Sequence, residues 1–223
     1  MKRLLILGLA LILLGLSAAA EGWVCPVCGA NNTGNFCPND GTARPASLSG
    51  GATSASGRYA YVPATLNRKL ATRTGPGTQY DEPGSFLSAG HRVTVLSKGW
   101  DERNEIWWVQ VAFSERGTKY RAYTGLKRFS DLDISQVPED IVLGECDIPQ
   151  AVRDCYYGPG QGFGRVGRSV PAGVHCLIYG FENDPSTDTD YIQIEFYDAQ
   201  ADRLRRAWIP EWYSHNEYMY YGW

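Results

Sequence analysis

Apolar and polar residues alternate most regularly in two runs. Val109, Val111 and Phe113 take every second position of Trp107–Phe113, and Ile192, Ile194 and Phe196 do the same 83 residues later. Successive side chains of a strand point to opposite faces, so each triplet marks a core face. The other face carries Trp108, Gln110 and Ala112 in the first run and Tyr191, Gln193 and Glu195 in the second. His91–Leu96 alternates around Val93 and Val95, which predicts a half-buried strand. Leu70–Thr74 reads as an earlier strand and Tyr120–Tyr123 as a closing one. Gly75-Pro76-Gly77, Gly84, Gly90 and Gly117 supply turns between them. Short strands with regular turn signals predict an all-β chain, and units of about 65 residues predict small barrels.

The pattern occurs twice in one register. Gly75-Pro76-Gly77 returns as Gly158-Pro159-Gly160, Tyr80 as Phe163, Gly84 as Gly167, and Ala89-Gly90 as Ala172-Gly173. Arg121-Ala122-Tyr123 returns as Arg206-Ala207-Trp208 after a slip of two residues. A register this long identifies two copies of one domain, placed at 64–130 and 145–223, with an acidic connection at 131–144. The aromatic-then-Gln face has two readings, which stay open on sequence alone. It is a shared ligand surface using Tyr80, Trp108, Gln110, Phe163, Tyr191 and Gln193, or its rings cover a barrel edge and pack against the other repeat. The end of the chain is strongly aromatic (Trp212, Tyr213, Tyr218, Tyr220, Tyr221, Trp223) and is expected to add a final strand to the second copy.

Charge and composition narrow the compartment and the partners. Lys2-Arg3, the apolar run Leu4–Leu16 and Ala18-Ala19-Ala20 have the form of a signal peptide, 1–20, cleaved after Ala20. That run is short for a bilayer span, which needs about 20 apolar residues. The expectation is a secreted or extracytoplasmic, envelope-associated protein with no stable transmembrane segment after cleavage. The chain has 21 Lys and Arg against 24 Asp and Glu and no long basic run. That excludes a phosphate-backbone partner, so no nucleic acid is expected. Residues 44–63, rich in Ser, Gly and Ala, read as a flexible linker.

Between signal and linker, at 21–43, Cys25-Pro26-Val27-Cys28-Gly29 is followed by Cys37-Pro38-Asn39-Asp40-Gly41. Two Cys-Pro-x-x frames, the second with Asp at the fourth ligand position, suit one tetrahedral zinc held by Cys25, Cys28, Cys37 and Asp40. The segment resembles short bacterial zinc ribbons, which implies a structural metal. A strained Cys25–Cys28 disulfide and a ribbon that no longer binds metal are the other readings of the same residues.

Leu70-Ala-Thr-Arg-Thr-Gly-Pro-Gly-Thr, Gly90-His-Arg-Val-Thr-Val-Leu and Trp108-Val-Gln-Val together resemble the bacterial SH3-like (SH3b) domain. The resemblance implies two tandem SH3-like barrels after a zinc-ribbon-like knuckle pair. It further implies a role outside the membrane, binding cell-wall peptide or peptidoglycan. In the aligned copies Cys155 replaces Thr72 and Cys176 replaces Val93, on strands that neighbour each other in that family, which implies a Cys155–Cys176 disulfide with Cys146 left over. No nucleophile–base pair, paired carboxylates in a cleft or phosphate-cradling loop is evident in the sequence, so no enzyme is expected. The alternatives to wall binding are an envelope assembly factor that docks a partner protein, and a wall hydrolase with an unrecognised site.

Overall fold

The structure, a computed structural model, describes residues 23–24, 31–32, 58–83 and 86–219. The regular elements among them are strands and three short 3-10 turns. β1 (Trp23–Val24) pairs antiparallel with β2 (Asn31–Asn32). Cys25, Cys28, Cys37 and Asp40, and with them the zinc expectation, lie outside the described residues, as does the proposed signal peptide. No helix among the described residues is long and apolar enough to cross a membrane.

The first repeat contains β3 (Val62–Thr65), β4 (Leu70–Ala71), β5 (Phe86–Leu87), β6 (Arg92–Asp101), β7 (Ile106–Glu115) and β8 (Thr118–Gly125). Its main sheet is antiparallel, ordered β3-β6-β7-β8, and β4 pairs with β5. The second repeat contains β9 (Gly144–Ile148), β10 (Val174–Asp184), β11 (Thr189–Asp198), β12 (Arg203–Pro210) and β13 (His215–Met219), ordered β12-β11-β10-β9-β13. The chain is thus all-β. Neither sheet closes on itself by hydrogen bonding: β3 and β8 are the edges of the first, β12 and β13 of the second.

The repeat is visible in backbone detail. β6 carries a bulge between Val95 and Ser97 against β7, and β10 carries one between Ile178 and Gly180, the same place 83 residues on. A bulge bends the strand and tightens its twist, so each long hairpin folds over its core. The triplets found by alternation are at those cores. Val109, Val111 and Phe113 pack with Leu66, Leu87, Val93 and Val95. Ile192, Ile194 and Phe196 pack with Ile148, Cys155, Cys176 and Ile178. The expected strand Leu70–Thr74 is shorter than its pattern suggests. After Ala71 it makes one bridge, in which Arg73 and Tyr123 exchange backbone hydrogen bonds of 2.9 and 2.8 Å. The Gly75-Pro76-Gly77 turn then diverts the chain.

The connection at 131–144 is not a free tether. Asp133 caps a 3-10 turn at Ile134–Gln136 by accepting from the Ser135 N–H at 3.0 Å. The chain then runs beside β6, with Lys98 N–H donating to Pro138 O and Asp140 N–H to Lys98 O, both at 2.8 Å. This brings the Asp140 carboxylate to the boundary between the two repeats.

Candidate functional site

The two repeats meet across a pseudo-two-fold arrangement, built by the segments that follow each Gly-Pro-Gly turn. Asp81 N–H donates to Leu204 O at 3.1 Å, and its counterpart Gly164 donates to Lys119 O at 2.9 Å. Tyr80 bridges Leu204, and Phe163 bridges Lys119. Arg206 lies over the Tyr80 ring at 5.8 Å and Arg121 over the Phe163 ring at 5.7 Å. Gly75 and Gly158 make this possible, since a Cβ at either would fall inside the Tyr80 or Phe163 ring.

This arrangement corrects the outward placement expected for the shared aromatic face. Tyr80, Trp108, Gln110, Tyr191 and Gln193 are buried and Phe163 is half-buried. The opposite face of β7 and β11 is covered by the segments around the Gly-Pro-Gly turns, which bridge to β8 and β12 through Arg73–Tyr123 and Tyr156–Trp208. Tyr191 packs with Tyr156, Trp208 and Phe163. Gln110 Nε2 donates to Tyr123 Oη at 3.3 Å. Of the two readings left open by the sequence, packing describes Tyr80 and Phe163, which hold the repeats together.

Buried charge at this interface is concentrated on one side. Arg206 is 4 % exposed and meets Asp140 and Glu195, both at 2.7 Å, and the Tyr123 hydroxyl at 2.6 Å. Tyr80 Oη donates to Glu195 at 2.6 Å and Tyr123 Oη to Asp140 at 2.6 Å. Burial alone would lower the Arg206 pKa, but Tyr123, Asp140 and Glu195 outweigh it and hold the value above its ordinary range. Burial, reinforced by Glu195, raises the Tyr80 pKa and keeps its hydroxyl a donor. On the other side Arg121 has a two-pronged pairing with Glu182, one prong at 2.9 Å. Apart from Arg121 Nε, which has no partner among the described residues, these groups are paired with one another across the repeats, which is a structural role.

Among the open depressions of the described surface, two occupy equivalent places, one per repeat. The first has a cavity of about 620 Å³ and is lined by Arg73, Thr78, Trp100, Trp107, Trp108 and Lys127 among others. The second, of about 430 Å³, is lined by Tyr156, Gln161, Tyr191 and Trp212, counterparts of Arg73, Thr78, Trp108 and Lys127. Their contents differ. Trp100 and Trp107 face each other across β6 and β7, edge to face at 4.9 Å, and Trp100 is 44 % exposed. The counterpart pair, Asn183 and Asp190, is joined by a 3.0 Å hydrogen bond. The Trp108 indole N–H is buried with no acceptor among the described residues. Lys127 and Arg128, also on the first groove, have no ion-pair partner among them. In the second groove, Arg165 pairs with Asp154 and lies 5.9 Å from the Tyr156 ring, and Tyr213 Oη donates to Asp154 at 3.3 Å. The first groove therefore combines a tryptophan pair with unpaired donors, while the second, which exposes Trp212, sets an ion pair beside its tyrosine.

Cys176 on β10 lies directly opposite Cys146 on β9, and the strands that flank β10 are β9 and β11. The segment holding Cys155 bonds to β12, through Tyr156 and Trp208, and Cys155 shares a core cluster with Cys146 and Cys176. Cys155 donates to Val152 O at 3.2 Å, and burial pushes its thiol pKa up to about 11. Among the described residues no group of three His, Cys, Asp or Glu is placed to hold a metal ion.

Two features escaped the sequence reading. Asp140 belongs to the acidic connection at 131–144. Trp100 lies beyond the expected strand His91–Leu96, because β6 continues through it to Asp101. The signal that locates it is the pair of tryptophans flanking a short turn, at positions that become cross-strand partners once the hairpin is extended.

Comparison with protein-family models, with curated proteins and with solved structures returned no match to the chain.

Proposed function

We propose that the chain is an exported, non-catalytic binding module of two SH3-like units, and that the first-repeat groove takes an extended cell-wall peptide. The reading rests on one observation: of two equivalent grooves, the first offers an exposed Trp100 set against half-buried Trp107, a buried unpartnered indole N–H and two unpaired cations. An extended peptide supplies matching features, apolar side chains for Trp100 and Trp107 and backbone carbonyls for Trp108 Nε1. Its carboxylates suit Lys127 and Arg128. The SH3-like assignment is supported by two meanders with the same bulge and a 3-10 turn after β8 and after β12.

The test is retention of the protein on purified cell-wall sacculi. Trp100→Ala changes an exposed ring and leaves the core intact. It is expected to weaken retention at least about tenfold, the loss of one aromatic hot spot. Trp212→Ala, at the exposed tryptophan of the second groove, is expected to leave retention unchanged. Equal retention of the parent and Trp100→Ala would remove the groove from the reading. No retention of the parent would favour the alternative, an envelope assembly factor that docks a protein partner.

A further inference from the structure

We propose that Cys146 and Cys176 are a disulfide site, closed by exchange with a small-molecule or protein disulfide while the second repeat folds. The proposal does not depend on the groove or on its ligand. Cys146 on β9 and Cys176 on β10 are directly opposed in an antiparallel register that runs without a break from Val174↔Ile148 to Ile178↔Gly144. Opposed residues of adjacent antiparallel strands have Cβ atoms about 4.5–5.5 Å apart, pointing to one face. A disulfide spans Cα separations of about 4.4–6.8 Å, so this pair can be bridged with little movement of the backbone. Both side chains belong to one buried cluster with Ile148, Val152, Ile178 and Ile194, and the two thiols touch through a hydrogen bond. That hydrogen bond, given by Cys176, lowers the Cys146 pKa and raises that of Cys176.

The exchange balances in two steps. The Cys146 thiolate attacks one sulfur of the oxidant's disulfide, forming a mixed disulfide and expelling one oxidant thiolate. The Cys176 thiolate then attacks Cys146 Sγ, closing the Cys146–Cys176 bond and expelling the second. The two cysteines lose two electrons and two protons, and the oxidant leaves as two thiols. Both sulfurs are buried in the folded protein, at 3 % and 1 % exposure, so exchange precedes completion of the core and later reduction is slow. The bond ties β9 to β10 across the chain that carries the second groove. The first repeat has no counterpart: Cys176 corresponds to Val93, whose partner on β3 is Ala64.

Trypsin separates the three described cysteines, placing Cys146 in 129–153, Cys155 in 154–165 and Cys176 in 169–203. The full chain would be refolded in a buffer of oxidised and reduced glutathione, blocked with iodoacetamide, digested without reductant and mapped by mass spectrometry. The expected product is peptide 129–153 linked to 169–203, with Cys155 recovered unlinked. Loss of the link in Cys146→Ser and its persistence in Cys155→Ser assign the sulfurs. The oxidised parent should melt about 5–10 °C above its reduced form, as a closed loop of this length implies. Recovery of 129–153 and 169–203 as separate alkylated peptides, or a link from Cys176 to Cys155, would overturn the proposal.

Discussion

The two repeats share a backbone plan and differ in what each invests at its symmetric positions. At the inter-repeat contact, Tyr80 has a hydroxyl and finds the Glu195 carboxylate, whereas its counterpart Phe163 has none. The position matching Glu195 in the first repeat is Ala112, so hydroxyl and carboxylate are present together or absent together. At the grooves the asymmetry has the opposite sense. Each groove exposes a tryptophan, Trp100 or Trp212, but the first adds Trp107 and unpaired cations, whereas the second sets an ion pair beside its tyrosines. Duplication therefore produced two copies with divided roles: the second carries the charged anchor of the interface, and the first keeps an open surface.

The largest way to disturb this division is to remove the anchor. Arg206→Met leaves Asp140 and Glu195 buried without their cation, and a broken buried ion network costs about 3–5 kcal/mol. Arg121→Met strips one carboxylate, Glu182, whose side chain is 25 % exposed and can be reached by water. Its cost should be clearly smaller, roughly 1–3 kcal/mol. Urea unfolding of both variants tests the order, and equal losses would show that the two halves of the contact are energetically alike. Gly75→Ala should act next. Its methyl group displaces the Tyr80 ring that crosses into the second repeat, at a cost of about 1–3 kcal/mol by overpacking.

A finer test exchanges the roles. Tyr80→Phe removes the 2.6 Å hydrogen bond to Glu195 and leaves that carboxylate with Arg206 alone, a loss of about 1–2 kcal/mol. Phe163→Tyr places a hydroxyl where Ala112 offers no acceptor and should bring no gain. Adding Ala112→Glu supplies an acceptor beside Arg121, so the double variant should be more stable than the sum of the single changes predicts. A double-mutant cycle read by chemical denaturation measures that coupling, and an additive result would mean the second half cannot be rebuilt from these two positions.

How far this was legible in the sequence follows from the range of each interaction. The core triplets were readable because alternation is local and each strand decides its own faces. The repeat was readable because Gly75 and Gly158 mark the same turn, and only a residue without a Cβ fits beside the ring that follows. The inner placement of Trp108 and Tyr191 was not readable, since burial of a second strand face depends on what another part of the chain lays over it. Asp140 was hidden for the same reason. It reads as one acid among several in an apparent linker, and its importance comes from Arg206, 66 residues away. The Cys146–Cys176 register was not readable, since Gly144–Ile148 alternates over only five residues and nothing local says which strand it pairs with.

The smallest effect expected is a pH dependence confined to the second repeat. His175 on β10 lies opposite Asp147 on β9, with Nδ1 2.9 Å from Asp147 and Nε2 3.4 Å from Glu145. The hydrogen bond to Asp147, reinforced by both charges, raises its pKa above the ordinary value near 6.5. A histidine raised on folding stabilises the protein in its charged form. The contribution is fully present below about pH 6.5 and is lost as pH rises through the raised folded value. The ring is well exposed and water screens the pair, so its worth is at most about 0.5 kcal/mol. The first repeat carries Arg92 at the corresponding position, and its partner Thr65 bears no charge, so no parallel dependence arises there. The parent should therefore exceed His175→Gln in stability at pH 5.5, and the two should converge above pH 8. A gap that stays constant between those values would show that packing or hydrogen bonding of the neutral ring, and not its charge, is what joins β9 to β10 at that point.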